Sequence, residues 1–209
     1  MTDFTEGPKF LRDGPAGSEW RILLAHGARQ PSSSPFMTRF AAGLAARDFA
    51  VARFDFPYMR IRAETGRKRP PDRQPVLIQA WRDAFAEFGG NAVIGGKSMG
   101  GRMASMVAYE LGARGMVCLG YPFHPPGKPE KTRIEHLAEL KTPAMFLQGT
   151  RDTLGGIDEV SGYPLSKKIN IHWLEDGDHG LKPRKKSGRT EEQNWAEALD
   201  AFTAFAEKR

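Results

Sequence analysis

Six short apolar runs recur along this chain of 209 residues, at positions 20–25, 50–56, 92–95, 115–120, 144–149 and 169–174. Runs this short are strand-sized, and short apolar runs separated by helix-length segments argue for a parallel sheet covered on both faces. The segments between them repeat with a helical period. Residues 35–47 bring Phe36, Met37, Phe40, Leu44 and Ala45 to one side, and 76–88 do the same with Leu77, Ala80, Trp81, Ala84, Phe85 and Phe88. Segments 99–111 and 191–205 behave likewise, and Thr190 with Gln193 three positions on reads as a capping box that opens the last helix. Strand alternating with helix predicts an α/β chain, with a mostly parallel, doubly wound sheet. Three longer connections, 57–74, 121–133 and 177–189, leave strands and are expected to form the crevice at the carboxyl edge. None carries a helical insertion long enough for a lid domain, and no internal repeat is present.

A content of 40% hydrophobic residues suits a single domain over 1–209 with a sizeable core. The net charge of +6, from 31 Lys and Arg against 25 Asp and Glu, permits anionic partners without selecting one. Cys118 is the only cysteine, so no intramolecular disulfide can form, and within the apolar Gly115–Gly120 run it reads as a small buried residue rather than a reactive thiol. No apolar stretch reaches the roughly 18 residues that a membrane span needs. The start of the chain, MTDFTEGPKFLRDGPAG, carries acidic residues and no apolar run before a small-residue cleavage site. A cytoplasmic chain with no membrane contact is expected.

The stretch GGNAVIGGKSMGG, residues 89–101, admits two chemistries. A phosphate-binding loop ending in Gly96-Lys97-Ser98 needs its first glycine at position 91, where Asn91 stands, and needs exposed backbone N–H groups where Ala92-Val93-Ile94 form a buried strand. The second chemistry is G-x-S-x-G around Ser98. Strand, sharp turn and helix then follow in order, with glycines where the turn brings strand and helix together, and Ser98 becomes a nucleophile. Lys97 is the variable x of that turn.

A serine hydroxyl needs a neighbouring imidazole to take its proton and an acid to fix that imidazole's tautomer. On such a sheet the chain order is serine, acid, histidine, each at the end of a later strand. Asp152 ends the run 144–149 through Gly149-Thr150-Arg151, and His179 follows the last run. Of the other histidines, His172 lies within a strand, His124 and His136 fall between later elements, and His26 ends the first strong strand. Asp158, Asp176 and Asp178 rival Asp152, but the last two adjoin His179 in sequence and are poorly placed to orient its ring. The oxyanion hole is expected from the backbone N–H of Met99 and that of Ala28 in His26-Gly27-Ala28. His26, Tyr121 and Phe123 are candidate pocket residues, though Tyr121 and Phe123 could equally plug their proline-rich loop onto the core. Arg102 reads as a structural ion-pairing residue. No His, Cys and Asp cluster has metal-ligand spacing, and no cofactor is expected.

Four blocks carry a resemblance. Gly95-Gly96-Lys97-Ser98-Met99-Gly100-Gly101-Arg102, Gly120-Tyr121-Pro122-Phe123-His124-Pro125-Pro126-Gly127-Lys128-Pro129, Gln148-Gly149-Thr150-Arg151-Asp152 and Gly177-Asp178-His179 resemble, in this order, the compact alpha/beta hydrolases of the testis-expressed and NSL-complex-subunit type, near the dienelactone-hydrolase-like group. The resemblance covers about 20–209 and implies the alpha/beta hydrolase fold, with Ser98, Asp152 and His179 matching the triad. Dienelactone hydrolases proper use cysteine where this chain has Ser98.

The expected activity is hydrolysis of a small carboxylic ester or thioester through an acyl-enzyme. The alternative is a non-catalytic interaction module that keeps the fold. Basic segments 60–73 and 182–189 would rim the site and favour an anionic substrate, or be a solvated basic surface. No nucleic-acid motif accompanies them, so no nucleic-acid partner is expected. Oligomeric state is not legible.

Overall fold

The computed structural model describes residues 7–209. Seven strands form one sheet: β1 (Phe10–Asp13), β2 (Arg21–Ala25), β3 (Ala50–Phe54), β4 (Val93–Lys97), β5 (Gly115–Leu119), β6 (Ala144–Gly149) and β7 (Ile169–Leu174), in the order β1-β3-β2-β4-β5-β6-β7. All neighbours are parallel except β1, which runs antiparallel to β3.

Because side chains alternate across a strand, the apolar runs supply two cores at once. Leu23, Ala52, Ile94, Met116 and Phe146 face α3 (Gln74–Glu87) and α4 (Met99–Val107), where Trp81 and Met103 are buried. Ile22, Leu24, Val51, Val117 and Leu147 face α1 (Pro35–Ala45) and α6 (Glu191–Ala206), which bury Phe40 and Phe202. Each large side chain so enclosed contributes about 1.5–3 kcal/mol. The doubly wound arrangement follows from that alternation, and Thr190 and Gln193 form the expected capping box of α6.

Two elements depart from the expected pattern. β1 was not anticipated: FLRD has two charged residues in four, and this edge strand is held by Phe10 against Phe88 and by Asp13 bonding Arg53 at 2.9 Å, not by its own apolar content. The connection 57–74 is not all loop either. It opens with α2 (Pro57–Thr65), a polar helix that buries only Tyr58 and Met59, starts at a proline and ends on Gly66 with φ 67°. A single further turn, α5 (Ile157–Val160), follows β6.

The winding reverses between β2 and β4, since the chain steps outward from β2 to β3 and returns on the other side of β2. Ligands bind beyond the carboxyl ends of strands at such a reversal. Here those ends are Ala25-His26 and Lys97-Ser98. The turn at Ser98 is tight against β2: a Cβ on Gly96 would lie 2.0 Å from the Ala25 carbonyl oxygen, and one on Gly100 would lie 2.4 Å from the same atom. Only glycine fits at either flank. Ser98 itself is forced to φ 51°, ψ −112°, a conformation costly for any residue with a Cβ. Ser98→Gly is therefore expected to be more stable than Ser98→Ala by about 1–2 kcal/mol in urea unfolding; equal midpoints would mean that the turn stores no strain.

Candidate active site

Three strand ends meet at the turn. Ser98 stands between β4 and α4, Asp152 in the turn after β6, and His179 in the connection after β7. His179 Nε2 is 2.9 Å from Ser98 Oγ, and His179 Nδ1 is 2.8 Å from Asp152 Oδ2. The structure thus brings together the serine, histidine and acid in a single hydrogen-bonded line, although 81 residues separate the first two. The Asp152 side chain is fully enclosed, whereas that of His179 is 28% exposed, so the line runs from the interior to the surface.

Local bonds fix each end. Asp152 Oδ1 accepts from the Leu154 N–H at 2.8 Å, which closes its own turn. Its Oδ2 also accepts from Gln148 Nε2 at 2.9 Å. Gln148 is fully buried; its amide oxygen accepts from the Tyr121 N–H at 2.6 Å and its NH2 reaches the Gly155 carbonyl at 3.0 Å. Gln148 opens one of the four motif blocks, but no role for it is legible in the sequence, where it stands out as the one polar residue inside the apolar run AMFLQG. The rival acids are spent elsewhere. Asp178 Oδ1 takes the N–H groups of Gly180 and Lys182, folding the His179 loop on itself, and Asp176 is paired with Arg184 and Arg151. Asp158 opens α5.

Burial holds the His179 imidazole below its ordinary range; the Lys97 cation lowers it further, and the bond to Asp152 partly opposes both. The same burial pushes Lys97 down to about 8, against the pull of Asp152. Its ammonium donates a short hydrogen bond to the His179 carbonyl and lies 5.4 Å from the centre of the Phe36 ring.

The connection after β2 runs beside the serine: a Cβ on Gly27 would lie 3.6 Å from Ser98 Cβ. It is pinned by two buried side chains. His26 Nε2 accepts from the Phe56 N–H at 3.1 Å while its Nδ1 meets the Gly27 carbonyl at 2.6 Å, and the Tyr58 hydroxyl donates to the Ala28 carbonyl at 3.0 Å. Ala28 is therefore held in place from its own carbonyl. Met99 opens α4, so its N–H lies among those a helix leaves without an internal partner.

The expected pocket residues need correction. His26, Tyr121 and Phe123 are completely buried. His26 uses both ring nitrogens on backbone, and burial lowers its pKa, so it is a neutral structural residue. Tyr121 stacks on Phe146 with rings 3° from parallel and donates to the Arg133 carbonyl, while Phe123 packs against both rings; together they plug their loop onto the core. What reaches the triad from that loop is Gly120, whose backbone lies against His179. Arg102 makes no ion pair among the described residues and instead meets Gln74 at 3.4 Å. Cys118 is buried in β5 and its thiol is pushed up by that burial.

The two basic segments differ. In 182–189 three of the charges are paired locally, Lys182 with Glu191 at 3.0 Å, Arg184 with Asp176 and Arg189 with Glu197, while Lys185 and Lys186 make no ion pair among the described residues. In 60–73, Arg62 reaches the Arg29 carbonyl, whereas Arg67, Lys68, Arg69 and Arg73 make no ion pair among the described residues. No group of three or more His, Cys, Asp or Glu among the described residues could hold a metal ion, and no helix among them is long and apolar enough to cross a membrane.

Known structures share this architecture. The esterase domain of a Rhodothermus marinus protein superposes with a TM-score of 0.67 at 16% identity, over 97% of this chain and 99% of that one. Dienelactone hydrolase from Anabaena variabilis gives 0.69 at 18% identity, over 95% and 90%. Est1E from Butyrivibrio proteoclasticus, in a structure with bound ferulic acid, gives 0.68 at 14%, over 96% and 94%. At these identities the likeness is one of fold. A family model described as an alpha/beta hydrolase domain matches residues 18–207, nearly the whole chain, and by that match the chain belongs to the alpha/beta hydrolase family.

Proposed function

We propose that this chain is a serine hydrolase that cleaves a small carboxylic ester or thioester, with 1–209 acting as one catalytic unit, and that it falls within the testis-expressed and NSL-complex-subunit-like group on the strength of its four motif blocks. The observation that carries the reading is the line Ser98 Oγ, His179 Nε2, His179 Nδ1, Asp152 Oδ2, with spacings of 2.9 and 2.8 Å. Hydrogen-bond reach along this line is what proton transfer from a serine requires.

In the first half-reaction Ser98 Oγ attacks the carbonyl carbon as its proton passes to His179 Nε2. The oxyanion that forms is met by the N–H groups of Met99 and Ala28. Collapse breaks the bond to the leaving alcohol or thiol, which takes the proton from His179 and departs. Water then gives a proton to the same nitrogen as it attacks the acyl-enzyme, and a second collapse releases the carboxylic acid and restores the Ser98 hydroxyl. Asp152 holds the imidazole with Nε2 free to accept and offsets the imidazolium charge. Nucleophile, base and acid all come from the chain, so the reaction calls for no cofactor.

Support for the substrate class is of two kinds. A structure named as an esterase domain and one of Est1E with bound ferulic acid share the fold over nearly their full length. Arg67, Lys68, Arg69 and Arg73, which no carboxylate neutralises among the described residues, leave the carboxyl side of β3 and favour an anionic ester.

A panel of p-nitrophenyl esters and acyl thioesters of increasing chain length is expected to give turnover that Ser98→Ala lowers roughly a thousandfold or more. Turnover untouched by that substitution would remove the reading. The pH profile gives a separate check. His179 works as a base only when neutral, and its folded-state pKa is lowered, so activity should persist below pH 6.5 and fall only as pH drops through the lowered value. An acid limb centred at or above 6.5 would contradict the described environment of His179.

A further inference from the structure

The turn that carries Ser98 begins at a lysine whose side chain the proposed chemistry does not use. Lys97 ends β4, and its ammonium donates to the backbone carbonyl of His179, 82 residues further along the chain. The passage between them is kept open by Gly120: with φ +72°, a Cβ there would lie 2.7 Å from Lys97 Nζ, 2.9 Å from the His179 carbonyl oxygen and 3.3 Å from His179 Nδ1. Any side chain at 120 would occupy the link itself. On its other sides the lysine is closed in by Phe36 and by the chain at Gly27, where a Cβ would stand 3.3 Å from Lys97 Cγ.

A cation in this setting is costly. Taking an ammonium out of water with no carboxylate partner carries a desolvation penalty that a methionine of similar length would avoid. Among the described residues Lys97 makes no ion pair. Its hydrogen bond and its charge are what the lysine adds over an apolar residue, and both are directed at His179. We propose that Lys97 is a positioning residue: it ties the His179 loop to the strand end that presents Ser98 and sets a positive potential behind the imidazole. The proposal rests on the serine-hydrolase reading and deepens it.

The charges around His179 give the sign of the effect. Asp152, from the turn after β6, and Asp178, on its own loop, favour the imidazolium; Lys97, from β4, opposes it. Lys97 in turn faces Asp152, Asp178 and, from β5, Cys118, whose thiol burial keeps protonated. With the lysine charge removed the two carboxylates act unopposed, and His179 is protonated at higher pH. With the hydrogen bond removed the imidazole is held less firmly at its distance from Ser98.

The experiment compares the full-length wild type with Lys97→Met, Lys97→Gln and Lys97→Arg on one p-nitrophenyl ester across about pH 5 to 9, with folding checked by circular dichroism and Ser98→Ala as the control. The neutral variants are expected to lose about tenfold in kcat, to keep KM within about twofold, and to move the acid limb up by about one pH unit; Lys97→Arg is expected to restore the wild-type limb. Folded neutral variants with wild-type kcat and an unmoved limb overturn the proposal. If neither neutral variant folds, nitrogen-15 NMR of the wild-type lysine side chains decides: slowly exchanging Lys97 Nζ protons coupled to the His179 carbonyl support the link, and rapidly exchanging ones overturn it. Wild-type turnover that survives Ser98→Ala removes the hydrolase reading and this proposal with it, whereas Ser98-dependent turnover indifferent to Lys97 removes this proposal alone.

Discussion

The carbonyl of Ala25 leaves no space for a side chain at Gly96 or at Gly100, and the position of Ser98 follows from that contact. Two glycines two residues to either side of the serine let β4 and α4 close on the end of β2, so the chain turns sharply and lifts the hydroxyl out at the point where the winding of the sheet reverses. The same contact sets Ser98 beside the connection after β2, which His26 and Tyr58 hold from behind by bonds to Phe56 and Ala28. The backbone at Gly27 is thereby brought beside the serine.

Electrostatics completes what the backbone begins. Asp152 is an ionisable group placed wholly inside the protein, and it is tolerated there because Gln148, the Leu154 N–H and His179 satisfy its oxygens. Gln148 also grips Tyr121 and Gly155, so the acid is fixed by a network that reaches from β6 into the loop after β5. Low-dielectric surroundings make each of these bonds count for more than it would in water, and also make a missing partner more costly. His179 sits at the boundary, with an imidazole that burial biases toward the neutral form.

Much of this was legible in the sequence because the signals were redundant. The six expected strands are short, largely apolar runs, and the residues that became hydrogen-bonded neighbours, Ser98, Asp152 and His179, each follow the end of one within a few residues. The rest depended on long-range contacts that no local pattern encodes. β1 is a strand only because β3 offers it an edge and Arg53 a charge partner. α2 is too polar to announce a buried face. His26, Tyr121 and Phe123 looked like pocket walls because they follow strands at the carboxyl edge, but aromatic rings next to a dense core found more surface to bury inward than toward a crevice. Of the basic segments, only the structure could separate the charges already paired, Lys182, Arg184 and Arg189, from those that make no ion pair among the described residues, Arg67, Lys68, Arg69, Arg73, Lys185 and Lys186.

The most direct measurement of the central claim is mass-spectrometric mapping of the covalent adduct formed with a fluorophosphonate. If the line from Asp152 through His179 activates Ser98 as its geometry implies, intact protein gains a single adduct, the modified peptide carries it on Ser98, and His179→Ala abolishes it. Absence of any adduct under conditions that fully label a known serine hydrolase, or an adduct on another residue, would contradict the account.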